Sequence, residues 1–156
     1  ALAGSSFVAA ASLLIQNARI FDGESESLSV PSSVVVQDGV ITAVGESVDV
    51  PTGAMVIDAN ERVLMPGMIN AHAHIMLQLP LMQAITSDDY MFGYTATIAA
   101  KSLLDNGFTT IRDMSGDTFS LKMAIDSGLI PGLRFYLSGQ MFSQTLEHGD
   151  NRLADE

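Results

Sequence analysis

The chain has 156 residues, of which 47% are hydrophobic and 16% are charged, so it can bury a core and is not a disordered polyelectrolyte. The formal net charge is −11 with only seven Lys and Arg, which argues against nucleic acid as a partner, because phosphate binding needs a cationic face. Cysteine is absent, and this excludes thiolate-bound zinc, thiol nucleophiles and disulfides.

The chain opens with an apolar, Ala-rich stretch at residues 7–15. It is far too short to span a bilayer, so we expect no membrane partner. We interpret it as the lead-in to the first strand. The remnant of a trimmed signal peptide is the alternative, so both a cytoplasmic and an exported location stay open.

Residues 1–65 are predicted to be β structure and to form the first domain. A strand pattern at residues 13–21 ends at a turn, and two β-branched runs flank Asp38-Gly39 in residues 33–45. Asp-Gly between such runs predicts a hairpin, because both residues tolerate positive φ angles. With further short strands at residues 55–59 and 62–65, the sequence predicts a small antiparallel sheet.

From residue 66 onward, strand and helix patterns alternate, so residues 66–156 are predicted to form a second domain. The predicted elements are a strand at 66–74, a helix capped by Ser87-Asp88-Asp89 and running to about 105, a strand at 108–114, a helix at 118–126 capped by Ser115-Gly116-Asp117, and a strand at 133–137. This order indicates parallel βα units, and therefore the α/β class.

The strongest chemical signal is a pair of histidines at the end of the strand at residues 66–74 (PGMINAHAH). Side chains at positions i and i+2 of a strand point to the same face, so His72 and His74 should lie side by side. Neutral imidazole is a common ligand of divalent metals, and a catalytic zinc needs about three protein ligands and an open position. The third ligand would be His148, a carboxylate, or a residue outside this chain.

Two further candidates are expected at the same rim, because functional groups of parallel βα folds collect at the carboxyl ends of the strands. Asp113 ends the second strand and either forms an ion pair with the adjacent Arg112 or supports the metal ligands. His148 lies in the loop after the third strand. It is either an exposed loop residue or a group that faces the substrate or the metal.

Several segments together resemble the opening of the amidohydrolase superfamily, in order and in spacing. They are residues 14–23 (LIQNARIFDG), 36–45 (VQDGVITAVG), 56–59 (VIDA) and 66–74. Residues 107–113 (GFTTIRD), and 132–139 (GLRFYLSG) followed by 148–150 (HGD), resemble the second and third barrel strands of the imidazolonepropionase-like and Xaa-Pro-dipeptidase-like branch. Asn70 departs from the Asp that many members carry, and Leu146-Glu147 stand where small residues are expected before His148.

The resemblance implies a TIM-like (β/α)8 barrel, of which this chain would supply the first three strands, preceded by part of a small β-sandwich. It implies that His72 and His74 bind the more buried of two metal ions, usually zinc. For His148 we expect a contact with the substrate. A bridging carboxylated lysine, two further histidines and a catalytic aspartate belong to later strands, so no catalytic residue is assigned here. The remainder of the barrel is expected from a second chain or a missing segment, and the family's members often form homo-oligomers.

The reaction implied by the resemblance is hydrolysis of an amide bond in a small molecule, such as a dipeptide or an N-acyl amino acid. A metal-activated hydroxide would attack the carbonyl carbon. A one-metal deaminase or a cyclic-amide hydrolase of the same superfamily is one alternative. A non-catalytic half-barrel that assembles with a partner chain is the other.

Overall fold

The computed structural model describes residues 12–140 and 142, and its fold is mixed α/β. The chain divides into two compact units, Ala1–Pro66 and Gly67–Glu156. The first contains strands β1 (Ser12–Ile20), β2 (Ser32–Gln37), β3 (Val40–Gly45), β4 (Met55–Asp58) and β5 (Val63–Leu64). The second contains β6 (Met68–Ala73), α1 (Leu81–Ala84), α2 (Asp89–Asp105), β7 (Phe108–Asp113), α3 (Phe119–Asp126) and β8 (Arg134–Leu137).

The first unit is one sheet with the strand order β3-β2-β1-β4, and β5 also pairs with β1. The predicted hairpin is confirmed: β2 and β3 are antiparallel and joined by Asp38 and Gly39, whose φ angles are +49° and +78°. These left-handed values are those of a two-residue turn that matches the twist of the strands.

The prediction that this sheet is purely antiparallel is wrong, because β4 and β5 both run parallel to β1. After β3 the chain crosses to the free edge of β1 and enters β4 in the same direction as β1, which a tight hairpin cannot achieve. The two parallel partners meet β1 on either side of an irregularity between Ile15 and Ala18, where Asn17 has a φ of +54°.

The second unit is a three-stranded parallel sheet in the order β6-β7-β8, with α2 and α3 in its connections. Small side chains of α2, Ala96 and Ala100, are fully buried and share a core with Ile111 of β7 and Phe135 of β8. The alternating strands and helices agree with the predicted βα units, and the short helix α1 was not anticipated.

The two predicted helix starts have different outcomes. Asp88 caps α2 as predicted, since its carboxylate accepts a hydrogen bond from the Met91 N–H at 3.0 Å. The predicted cap of α3 at residues 115–117 is wrong. Thr118 occupies the cap position and makes no side-chain capping bond, because its hydroxyl donates to the Asp113 carboxylate instead.

Within the part of the chain that the structure describes, no helix has the length and apolar character needed to cross a membrane.

Gly67 provides a test of the packing at the start of β6. A Cβ atom at this position would overlap the side chain of Thr109. We therefore expect Gly67→Ala to lower the free energy of unfolding by about 1–3 kcal/mol through overpacking. Adding Thr109→Ala should recover part of the loss, and the measurement is denaturant unfolding.

Gly93→Ala in α2 is the matched control, because nothing lies within 4 Å of its added Cβ atom. It should raise the free energy of unfolding by up to about 1 kcal/mol, since alanine favours a helix. Equal unfolding curves for the two variants would contradict the packing at Gly67.

Candidate metal-binding site

A β-bulge shapes the carboxyl end of β6. Asn70 pairs with Ile111 and Ala73 pairs with Asp113, so three steps along β6 match two steps along β7. The extra residue leaves Ala71 and His72 opposite Arg112 alone. The Asn70 side chain accepts a hydrogen bond from the His72 N–H at 3.0 Å, and so satisfies a backbone donor at the irregularity. An aspartate at position 70 would offer the same acceptor.

The structure brings the two histidines of the sequence pattern together. The Nε2 atoms of His72 and His74 lie 3.2 Å apart, and the two rings meet edge to face with centroids 5.1 Å apart. His72 is exposed and His74 is partly buried. Both are at the carboxyl end of the first parallel strand, since β6 ends at Ala73.

This geometry fits a shared metal ion. Two nitrogens bound tetrahedrally to zinc at about 2.0–2.1 Å are separated by about 3.3–3.4 Å, close to the observed distance. The described residues contain no group of three or more His, Asp or Glu side chains placed to hold a metal. The pair by itself therefore fits only part of a metal site.

The backbone around His74 is tied to β7 on both sides. The Met114 N–H donates to the Ala73 carbonyl at 2.8 Å, and the Ile75 N–H donates to the Asp113 carboxylate at 2.9 Å. The imidazole itself contacts Ser115, whose Oγ lies 2.7 Å from Nδ1. Three interactions thus fix the position and the ring orientation of one residue.

Asp113 is 1% exposed, and its carboxylate is the junction between Ile75 after β6 and Thr118 before α3. Its second oxygen accepts a hydrogen bond from the Thr118 hydroxyl at 3.1 Å. Burial raises the pKa of the Asp113 carboxyl, while the hydrogen bonds from Ile75 and Thr118 and the charge of His74 oppose that rise. Among the described residues no ion pair joins Asp113 to Arg112, so that alternative is wrong.

Two further residues bear on the site. His148 lies outside the described residues, so its predicted contact with the substrate stays a prediction. Ser115 is a residue that sequence analysis missed. Ser115 was expected only as part of a helix cap. Its position two residues beyond the end of β7, at the rim where His74 lies, was the available signal.

The histidine pair opens onto a cleft of about 340 Å³. The residues that line it include Asn70, Gln78 and Ser102 of α2, together with His72 and His74. His72 is exposed, so an ion or a small molecule can reach the pair.

Comparison with known proteins identifies the family. A family model described as the amidohydrolase family matches residues 63–156, which include the bulge, both histidines and all three parallel strands. The chain belongs to the amidohydrolase family.

Three similar proteins illustrate the range of relatives. An ochratoxinase from Aspergillus niger is 30% identical over 147 residues, which cover 84% of this chain and 28% of that protein. The crystal structure of a prolidase complexed with N-methylphosphonate-L-proline matches with a TM-score of 0.81 and 31% identity, covering 93% of this chain and 36% of that chain. A Xaa-Pro dipeptidase with bound methionine in its active site has a TM-score of 0.79 and 25% identity, with coverages of 93% and 38%. The chain thus spans well under half of the length of these relatives.

The junction at Asp113 can be tested by two substitutions. Asp113→Ala leaves the Ile75 N–H and the Thr118 hydroxyl without their buried acceptor, so we expect a loss of about 2–5 kcal/mol in the free energy of unfolding. Asp113→Asn keeps an oxygen for Ile75, and its amide can donate to the Thr118 hydroxyl. In denaturant unfolding, Asp113→Asn should lose less than half as much free energy of unfolding as Asp113→Ala. Equal losses would show that the two hydrogen bonds do not account for the role of Asp113.

Proposed function

We propose that this chain is the amino-terminal portion of a metal-dependent amidohydrolase. In this proposal β6, β7 and β8 are the first three strands of a TIM-like (β/α)8 barrel. Residues 1–65 belong to a β-sandwich domain, and residues 66–156 begin the barrel. The observation that carries the proposal is the convergence of the His72 and His74 Nε2 atoms, 3.2 Å apart at the carboxyl end of the first parallel strand.

In the proposed site, His72 and His74 hold the more buried of two zinc ions. An ion held there would polarise a carbonyl oxygen and lower the pKa of bound water towards roughly 7. The other ligands and the proton-shuttling aspartate belong to the remaining barrel strands, supplied by a second chain or by another segment of the polypeptide. We also propose that His148 faces the substrate and that the complete protein is a homo-oligomer.

The proposed substrate is a small molecule with an amide bond, such as a dipeptide or an N-acyl amino acid. A row of side chains across the sheet supports a substrate with a free carboxylate. Arg112 pairs with Tyr136 of β8, and His72 lies opposite Arg112 on the other side. Ile111 and Phe135 point into the core beneath the helices, so by alternation Arg112 and Tyr136 point to the opposite face, where both are exposed.

In this arrangement each side chain has a separate task. The imidazoles would bind the ion, and the Arg112 guanidinium would receive the substrate carboxylate through charge-assisted hydrogen bonds. The Tyr136 hydroxyl can add a further donor beside it. The buried hydrogen bonds of Asp113 join Ile75, next to His74, to the end of β7, and so would hold His74 in a fixed position relative to Arg112.

The metal-binding proposal is tested with the full-length protein and the double substitution His72→Ala, His74→Ala. We expect the variant to lose the bound metal and at least about 100-fold in hydrolysis of dipeptides and N-acyl amino acids, because both ligands are removed. Metal content is measured by mass spectrometry and hydrolysis by amine release.

Ser102→Ala is the control, because Ser102 lines the same cleft without contributing an imidazole. It should keep both metal and activity. Full activity of the double variant would overturn the proposed mechanism. Metal binding with release of ammonia, or with opening of a cyclic amide, would favour the deaminase or the cyclic-amide hydrolase. Neither metal nor activity in the complete assembly would favour a non-catalytic half-barrel.

The role of Arg112 is tested with Arg112→Met and two forms of one substrate. For an N-acyl amino acid we expect KM to rise about 10- to 100-fold, since a charge-assisted hydrogen bond is lost. For the matching methyl ester, which carries no negative charge, KM should change less than about threefold. Steady-state kinetics on both forms provides the measurement. An equal rise for acid and ester would exclude a carboxylate contact.

A further inference from the structure

Ser115 is a polar residue that the proposed mechanism has not yet used. It is 4% exposed and lies in the loop between β7 and α3. Its hydroxyl is 2.7 Å from Nδ1 of His74. A serine buried to this degree would normally bond to backbone or water, whereas this one meets the nitrogen of a candidate metal ligand.

The contact bears on which nitrogen of His74 can bind an ion. A neutral imidazole has one N–H and one lone pair, and the tautomer is set by the partner of the ring. When the Ser115 Oγ accepts a hydrogen bond from Nδ1–H, the lone pair is on Nε2. Nε2 is the atom that faces the His72 ring at 3.2 Å.

The surroundings make Ser115 a rigid partner. Met114, directly before it, is bonded to the Ala73 carbonyl, and Thr118, three residues after it, is bonded to Asp113. Gly116 has a φ of +104°, a conformation that side chains rarely adopt, and this turns the chain immediately after Ser115. The hydroxyl is therefore held by the same network that anchors the backbone around His74.

We propose that Ser115 is a positioning residue for the metal site: it holds His74 as the Nδ1–H tautomer, with Nε2 free to bind the ion. The inference rests on the proposed function, because it requires that His74 is a metal ligand. Partners that orient a ligating histidine typically change metal affinity 10- to 100-fold when they are removed.

The test measures Co²⁺ and Zn²⁺ affinity, by visible absorption and chelator competition, in the full-length protein stripped of metal. We expect Ser115→Ala to weaken binding of each ion 10- to 100-fold. Ser115→Thr keeps the hydroxyl and should restore the affinity to within about threefold of the parent protein. If the extra methyl group of Ser115→Thr prevents folding, the inference is tested by comparing Ser115→Ala with the control Ser32→Ala.

Ser32→Ala is the matched control, because Ser32 is also a buried serine, but its hydroxyl donates to a backbone carbonyl of the first unit. Both alanine variants should lower the melting temperature of the metal-free protein, and only Ser115→Ala should weaken metal binding. Unchanged affinity in Ser115→Ala overturns the inference and leaves the proposed function standing. Equal metal uptake by the parent protein and the double histidine variant overturns both.

Discussion

The buried carboxylate of Asp113 is the interaction on which the candidate site depends. One oxygen accepts the Ile75 N–H beyond β6, and the other accepts the Thr118 hydroxyl at the start of α3. A carboxylate that is 1% exposed costs free energy unless it is well hydrogen-bonded, and burial does raise its pKa. The protein tolerates this cost at the point where two strand ends and a helix must keep their relative positions. His74 and Ser115 both lie within that junction.

The bulge in β6 adds a second constraint, because it determines which side chains share a row. With one extra residue in β6, His72 stands beside Arg112, and Arg112 stands beside Tyr136. Asn70 satisfies the backbone donor at the bulge. Metal ligation and substrate recognition, as proposed, thus depend on adjacent positions of one sheet. Backbone pairing determines which of these positions are neighbours.

Membership of the amidohydrolase family links these local features to those of longer relatives. The family match covers residues 63–156, and the chain covers 36% of the prolidase whose structure it resembles. Two imidazoles converge here without a third possible ligand among the described residues, which agrees with the proposed metal centre assembled from several strands. In the proposal, this chain contributes the pair His72 and His74, whose surroundings include the hydrogen bonds of Asn70, Asp113 and Ser115.

The amino-acid sequence by itself determined the hairpin at Asp38-Gly39, the cap at Asp88, the order of parallel βα units and the pairing of His72 with His74. Each depends on short-range chemistry: a positive φ angle, a capping carboxylate, or a period of two. Only the tertiary structure decided the parallel pairing of β4 with β1, the bulge opposite Arg112, the contact of Asp113 with Ile75 and the contact of Ser115 with His74. These depend on which residues meet across more than 35 positions of chain, as His74 and Ser115 do over 41, and no local pattern encodes that register.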